Sequence, residues 1–466
     1  MMTQAAHDRL MFAMRSLAGD LKVLSSLSET MEKIISSIAF VFLFDHVRVK
    51  GVSMAKIVAS NGVAGDSFGE MASMDGDYAI IGASGVDDYT GSAIIFKKSG
   101  SSWSQQTEVF ASDGEIYDYF GDSVSLSGDY AIIGSLNDDI GANADQGSAY
   151  VFMRSDNSWS QQSKLTASDG ETADKFGWSV ALSGDYALIG APYQDSDDDG
   201  NYDDANDDQG SCYIFLRSGV SWSQQTKLTT SDGVAGDGLG YSVAISGDYA
   251  LIGARDANLY QGAAYVFMRS DVSWNEQAIL TASDGATSNF FGCSVSIDDS
   301  YVIVGAVFGN AGQGGAYIFM RSGSDWSQEA ILTASDGASG DYFGDCVSIS
   351  GDYALIGAPY ADVGGNTDQG AAYVFLRNGT EWDQQMKLIA SDGAVDDYYG
   401  YATALDGDYA MVGAIGVDSS QGAAYTYCMD GQIWEDCPDA DDSDGSMMIG
   451  GVSILGVSLI SLLLMM

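Results

Sequence analysis

The 466 residues include 65 acidic and 19 basic side chains, a formal charge of −46, so the surface repels phosphate backbones and anionic headgroups and excludes nucleic acid as a partner. The same charge attracts divalent cations and basic ligands, and equally serves solubility. Abundant Gly (58), scarce Pro (3) and 11% aromatics, set among short apolar runs, point to many short strands joined by tight turns rather than to a helical bundle.

Residues 1–53 read as an N-terminal extension. The first 30 form a short, mixed-charge helical pattern, and residues 34–44 (IISSIAFVFLF) have the length and apolarity of a signal-peptide core, which places a signal-like segment at 31–46. A start at Met31 would put MEK directly before that core; the alternative is an ordinary N-terminal helix leading into the next domain.

From Met54 onward the chain repeats itself, which decides the fold before any single residue is interpreted. SDG recurs at Ser112, Ser168, Ser231, Ser283, Ser335 and Ser391, with SNG at Ser60, and each copy carries a Trp: Trp103, Trp159, Trp222, Trp274, Trp326, Trp382 and Trp434. In the copy starting at Ser168, four runs are strand-like: FGWSVAL, YALIGA, SCYIFLR and WSQQTKLT, separated by Gly, Ser and Asp turn signals. Four antiparallel strands per unit make a propeller blade, and seven units predict an all-β, seven-bladed β-propeller over residues 54–434. The last copy reaches Trp434 but lacks the strand that follows Trp elsewhere, while residues 54–60 (MAKIVAS) are that strand without a Trp before it. The N-terminal strand is therefore expected to complete the last blade and close the ring.

The FG pairs at Phe68, Phe120, Phe176, Phe291 and Phe343, with Leu239 and Tyr399 in place of Phe, are followed by endings such as Ile189, Gly190, Ala191 and Pro192. At these residues the chain resembles the FG-GAP repeat family, which includes the propeller at the head of integrin α subunits. The resemblance implies a cell-surface or extracellular propeller that binds ligands and often Ca²⁺. It also has a departure: integrin-like repeats carry a cation loop between the FG and GAP strands, where this chain has only a tight turn such as Ser183, Gly184 and Asp185.

A different loop reads DxDxDGxxD. Its Asp195, Asp197 and Asp199 supply side chains, Asn201 its carbonyl and Asp203 a closing carboxylate, while Gly200 permits the sharp bend that Ca²⁺ coordination needs. The competing reading is a solvated acidic insertion. This loop joins the second and third strands of its blade, so it shares a face of the ring with the SDG segments and with Asp87, Asp88, Asp138, Asp139, Asp145, Asp362, Asp368 and Asp418. That face is the expected ligand face, because variable loops on a rigid scaffold carry binding. The once-per-blade Trp and the GDY turns read instead as blade packing and hairpin chemistry.

The two histidines, His7 and His46, precede the propeller, so neither a Ser/His/Asp triad nor a His-ligated metal site can form within it. Paired-carboxylate catalysis stays open, with no pair singled out. Among the five cysteines, Cys428 and Cys437 bracket a short hairpin-like segment and suit a local disulfide in an exported protein. Residues 435–446 form an acidic linker, and residues 447–466 are uncharged, with no Lys or Arg after Lys387; this is the pattern of a hydrophobic C-terminal anchor or a GPI-type signal. The sequence thus predicts a membrane-tethered extracellular propeller that acts as a Ca²⁺-associated ligand-binding or adhesion module for a protein or glycan. The alternatives are a secreted or periplasmic enzyme on the same scaffold and a structural surface-coat protein.

Overall fold

The computed structural model describes residues 55–100, 102–194 and 208–428, together with the backbone of 429–430 and 433–435. The expectations for residues 1–53, for the acidic loop at Asp195, Asp197, Asp199, Asn201 and Asp203, for Cys437 and for residues 447–466 lie outside the described residues. The chain divides into Met1–Val52 and Ser53–Met466, and every described residue belongs to the second unit.

That unit is an all-β, seven-bladed propeller of four-stranded antiparallel blades. The blade built from Ser179–Ser183, Tyr186–Ala191, Ser211–Ser218 and Ser221–Leu228 shows the pattern. Its first hairpin turns at Gly184, whose φ of +58° suits a residue without a Cβ, so Ser183 pairs directly with Tyr186. The second strand, YALIGA, is buried almost throughout, because neighbouring blades cover both of its faces. Burial falls away toward the fourth strand, whose polar SWSQQTKL sequence forms the rim.

Glycine explains how blades approach one another. A Cβ on Gly82 would lie 2.0 Å from the carbonyl oxygen of Gly121 in the next blade, and one on Gly121, at φ +102°, would lie 2.1 Å from the Ser92 oxygen. The FG glycine and the GA glycine are therefore two sides of one backbone-on-backbone contact. The same contact recurs between Gly413 and Gly69 at the seam where the ring closes.

Aromatic side chains tie the outer parts of the seams. The Trp222 ring meets Tyr130 of the preceding blade edge-on at 6.1 Å and donates from Nε1 to Gln162 Oε1 at 3.0 Å. The Arg217 guanidinium covers the Tyr130 ring at 4.3 Å while pairing with Asp185. Trp159, Trp274 and Trp326 repeat both Trp contacts, so the packing role expected of Trp holds, and the GDY residues gain an inter-blade role that the turn reading did not contain.

Closure is by two half-strands. Ala55–Ile57 pairs with residues 424–426, and Ile433–Glu435 pairs with residues 428–430, so the fourth strand of the last blade comes from both ends of the chain. In the other complete fourth strands a bulge falls at this point, as between the pairs Val151–Ser163 and Phe152–Gln161. The two half-strands thus flank the point where the ladder is interrupted in the other blades.

Candidate functional site at the axial cavity

Most acids of the expected ligand face are committed to the fold. The SDG aspartates bridge blades: Asp113 accepts from Tyr150 Oη at 2.9 Å and Lys164 Nζ at 2.8 Å, and Asp336 repeats this with Tyr373 and Lys387 at 2.9 and 2.7 Å. A second recurring carboxylate, two residues before the FG in every blade but the one with Asn289, accepts a backbone N–H three residues upstream; Asp66, Asp118, Asp237, Asp341 and Asp397 do so at 2.7–2.9 Å. Asp138 accepts from Ser148, Tyr150 and Lys164, while Asp139 and Asp362 accept the amides of Asp145 and Asp368. Asp145 also pairs with Lys175 at 3.2 Å. Asp87, Asp88 and Asp418 stand exposed in left-handed turns. Among the described residues no group of three His, Cys, Asp or Glu side chains is placed to hold a metal ion.

The SDG connections do share a face with the second-to-third-strand loops. Tyr119 N–H donates to the Tyr89 oxygen at 2.8 Å and Phe120 N–H to that of Thr90 at 3.1 Å. At this end of the inner strands an axial cavity of about 870 Å³ opens.

The inner strands line that cavity, and in every blade the lining includes the residue directly after the FG glycine: Glu70, Asp122, Trp178, Tyr241, Cys293, Asp345 and Tyr401. On either side of this position the repeats conserve one another, with Gly before it and a small residue after it in most copies. The position itself changes from blade to blade. Acids and a tyrosine occupy one arc, Asp345, Tyr401, Glu70 and Asp122; Trp178, Tyr241 and Cys293 occupy the other.

Burial raises the Glu70 carboxyl above its ordinary value, even though the Ser84 hydroxyl donates to it, and raises Asp122 well above, with the neighbouring Glu70 charge adding to the effect. Asp345 is pushed to about 6 by burial, against the pull of Arg255. That arginine donates to Tyr241 Oη at 2.6 Å and to Asp256 at 3.2 Å, and its guanidinium lies over the Tyr241 and Phe290 rings. Burial pushes the Cys293 thiol up to about 12, which makes it a poor nucleophile.

Aromatic rings run on from the cavity wall, where Phe290, Phe308, Tyr342, Trp178 and Tyr241 line it. Phe290, Phe308, Tyr342, Tyr360 and Tyr398 follow one another with centroids 5.6, 4.9, 4.7 and 5.3 Å apart, and Trp178 meets Tyr193 and Tyr241 at 5.4 Å each. The residue before each FG adopts positive φ, and Tyr119, Phe290, Tyr342 and Tyr398 do so at 54–57°. Bulky side chains are uncommon in that conformation, which Gly238 satisfies at φ +64° in its own blade.

Comparison with protein families matches the FG-GAP repeat to residues 52–96, 103–152, 159–215, 222–267, 274–319, 326–375 and 382–427. The chain belongs to the FG-GAP repeat family. Each FG-GAP match after the first begins at the Trp of one blade's fourth strand and ends in the third strand of the next blade. The family's unit therefore straddles a seam, and the FG and GAP glycines it contains are those that bring two blades together. No curated protein matches the chain.

The acids chosen by sequence reasoning thus divide into structural carboxylates, the exposed Asp87, Asp88 and Asp418, and the undescribed loop, while the FG-GAP ring's axial residues were not singled out. One signal for them was present: a variable position between repeated neighbours, seven times over.

Proposed function

We propose that this FG-GAP propeller is a ligand-binding or adhesion module on the extracellular face of a membrane, tethered by residues 447–466, with Ca²⁺ held in the loop of Asp195, Asp197, Asp199, Asn201 and Asp203. The observation that carries the binding role is the variable ring around the axial cavity, set on a scaffold that otherwise repeats. Repetition is what a closed ring needs structurally; a cavity-facing position that changes from blade to blade serves recognition. The run of aromatic rings adds rigid contact area beside it.

The test is capture of extracellular protein and glycan partners by the full chain, with Ca²⁺ and with chelator. Tyr342→Ala with Tyr398→Ala should abolish capture, whereas Val220→Ser, at an exposed hairpin between the third and fourth strands, should not. Capture that ignores these rings and depends on Val220 would refute the reading.

One observation favours catalysis as a second reading: Glu70 and Asp122 converge on the cavity with raised pKa values, as a general acid requires. Glycoside turnover lost in Asp122→Asn would carry it.

A further inference from the structure

We propose that the axial cavity takes a neutral oligosaccharide, stacked against Trp178 and Tyr401 and hydrogen-bonded through its hydroxyls to Asp122, Asp345 and Glu70. This inference rests on the reading of the ring as a ligand-binding module and specifies what it binds.

The case begins with which polar groups the fold leaves uncommitted. Several serine hydroxyls of the inner strands stitch blades together: Ser123, Ser179 and Ser242 donate to Gly177, Gly240 and Gly292 at 2.7–2.8 Å, whereas Ser348 Oγ is buried without a partner. Among the described residues, no hydrogen bond engages the side chains of Asp122, Asp345, Trp178 or Tyr401, although all four border the cavity. All four are half-buried and keep surface toward the cavity, so its wall presents polar partners and aromatic faces to whatever enters it.

The chemistry of those groups selects among ligands. An anion would face Glu70, Asp122 and Asp345 within a molecule of charge −46. A purely apolar ligand would strand the carboxyls, the phenol and the indole N–H without water or partner. A cation would use the acceptors and leave the Trp178 and Tyr401 donors unmatched. A polyol can use all of them, since each hydroxyl both donates and accepts, and its C–H faces suit aromatic rings. The raised carboxyls strengthen this choice, because a wall that retains protons offers O–H donors beside carboxylate acceptors. At about 870 Å³ the cavity also falls within the size range of small-molecule sites, on the order of 300–1,000 Å³.

The experiment is titration calorimetry of the full chain with cellotetraose, chitotetraose, maltotetraose, mannotetraose and xylotetraose, with tetralysine as the cationic comparison. At least one tetraose should bind, and Asp122→Asn and Trp178→Ala should each weaken it by about tenfold or more, the loss expected when a buried polar partner or stacking face is removed. Because the Asp122 side chain holds no hydrogen bond in the fold and its burial disfavours the charged carboxylate, its variant should melt no lower than the parent; Tyr401→Phe provides a second, milder variant. The proposal is overturned if no tetraose binds, or if binding survives Asp122→Asn and Trp178→Ala unchanged. Binding of tetralysine alone, sensitive to these substitutions, would remove the saccharide and leave the binding module standing. If nothing binds and partner capture ignores Tyr342 and Tyr398, both readings fall together.

Discussion

Lys56 Nζ lies 2.8 Å from Asp392 Oδ2, although 336 positions separate the two residues in sequence. Asp392 also accepts from Tyr425 Oη at 3.0 Å, so the N-terminal strand supplies the same lysine that Lys164 and Lys387 supply within other blades. Closure therefore reproduces an ordinary seam down to its ion pair.

Removing residues 1–60 should leave the strand Ala423–Asp430 with an unpaired edge and convert monomer into aggregates on size-exclusion chromatography. Lys56→Met tests the ion pair alone. Both partners keep appreciable solvent exposure, so the expected loss is only about 0.5–1 kcal/mol at neutral pH. A truncated chain that stays monomeric with unchanged melting would refute closure by this strand.

The two kinds of repeated glycine should respond very differently to alanine. Gly128 and Gly121 both have positive φ, but a Cβ on Gly128 meets nothing within 4 Å, whereas one on Gly121 meets the Ser92 oxygen at 2.1 Å. Urea unfolding should show a cost of about 1–2 kcal/mol for Gly128→Ala, the backbone term alone. For Gly121→Ala the cost should exceed about 4 kcal/mol, because two backbones must separate. Equal costs would show that the seam does not depend on close approach.

Glu329 stands where Gln106, Gln162, Gln225 and Gln277 accept the indole N–H of the next blade's Trp. Both of its carboxyl oxygens and Trp382 Nε1 are buried without a partner. Glu329→Gln restores the repeat and should stabilise the protein by about 1–2 kcal/mol in denaturant unfolding. A loss of stability would mean that the carboxylate has a role the repeat comparison does not reveal.

Stability should peak on the acid side of neutrality. Asp118 and Asp345 are pushed to about 6, chiefly by burial, and burial also raises Glu70 and Asp122. A raised folded-state pKa means that the folded protein takes up protons before the unfolded chain does, so stability rises as pH falls from 8 through about 6. Asp113, Asp169, Asp336 and Asp392 have the opposite sign: burial pushes each upward, but a lysine ammonium and a tyrosine hydroxyl hold each below the ordinary value of 3.8. Their contribution persists until pH falls below about 4 and is then lost. Melting temperatures that fall steadily from pH 8 to pH 5 would contradict this balance.

For the acidic loop, Asp197→Asn with Asp199→Asn should abolish a Ca²⁺-dependent rise in melting temperature and leave the calcium-free protein folded. The rise in the parent should correspond to about 2.7 kcal/mol at a hundredfold excess over the dissociation constant. Mg²⁺ should be less effective, since it demands a tighter octahedral shell. Ca²⁺ binding that calorimetry finds unchanged in the double variant would reduce the loop to a solvated insertion.

Blade number, the four strands of each blade, the GDY hairpins and the N-terminal strand that completes the last blade are all legible along the sequence. These are local patterns: alternation, turn residues and a missing strand can be recognised within one unit, and seven copies repeat the lesson. Only the tertiary structure decided the roles of Asp113, Trp222 and Gly121, because each acts across a seam on a residue of another blade. The axial site depends on more still. Glu70 and Asp122 are 52 residues apart along the chain, and no spacing rule joins them. The Glu70 charge reaches Asp122, and helps to hold a proton there, only because ring closure brings the residue after each FG glycine toward one axis.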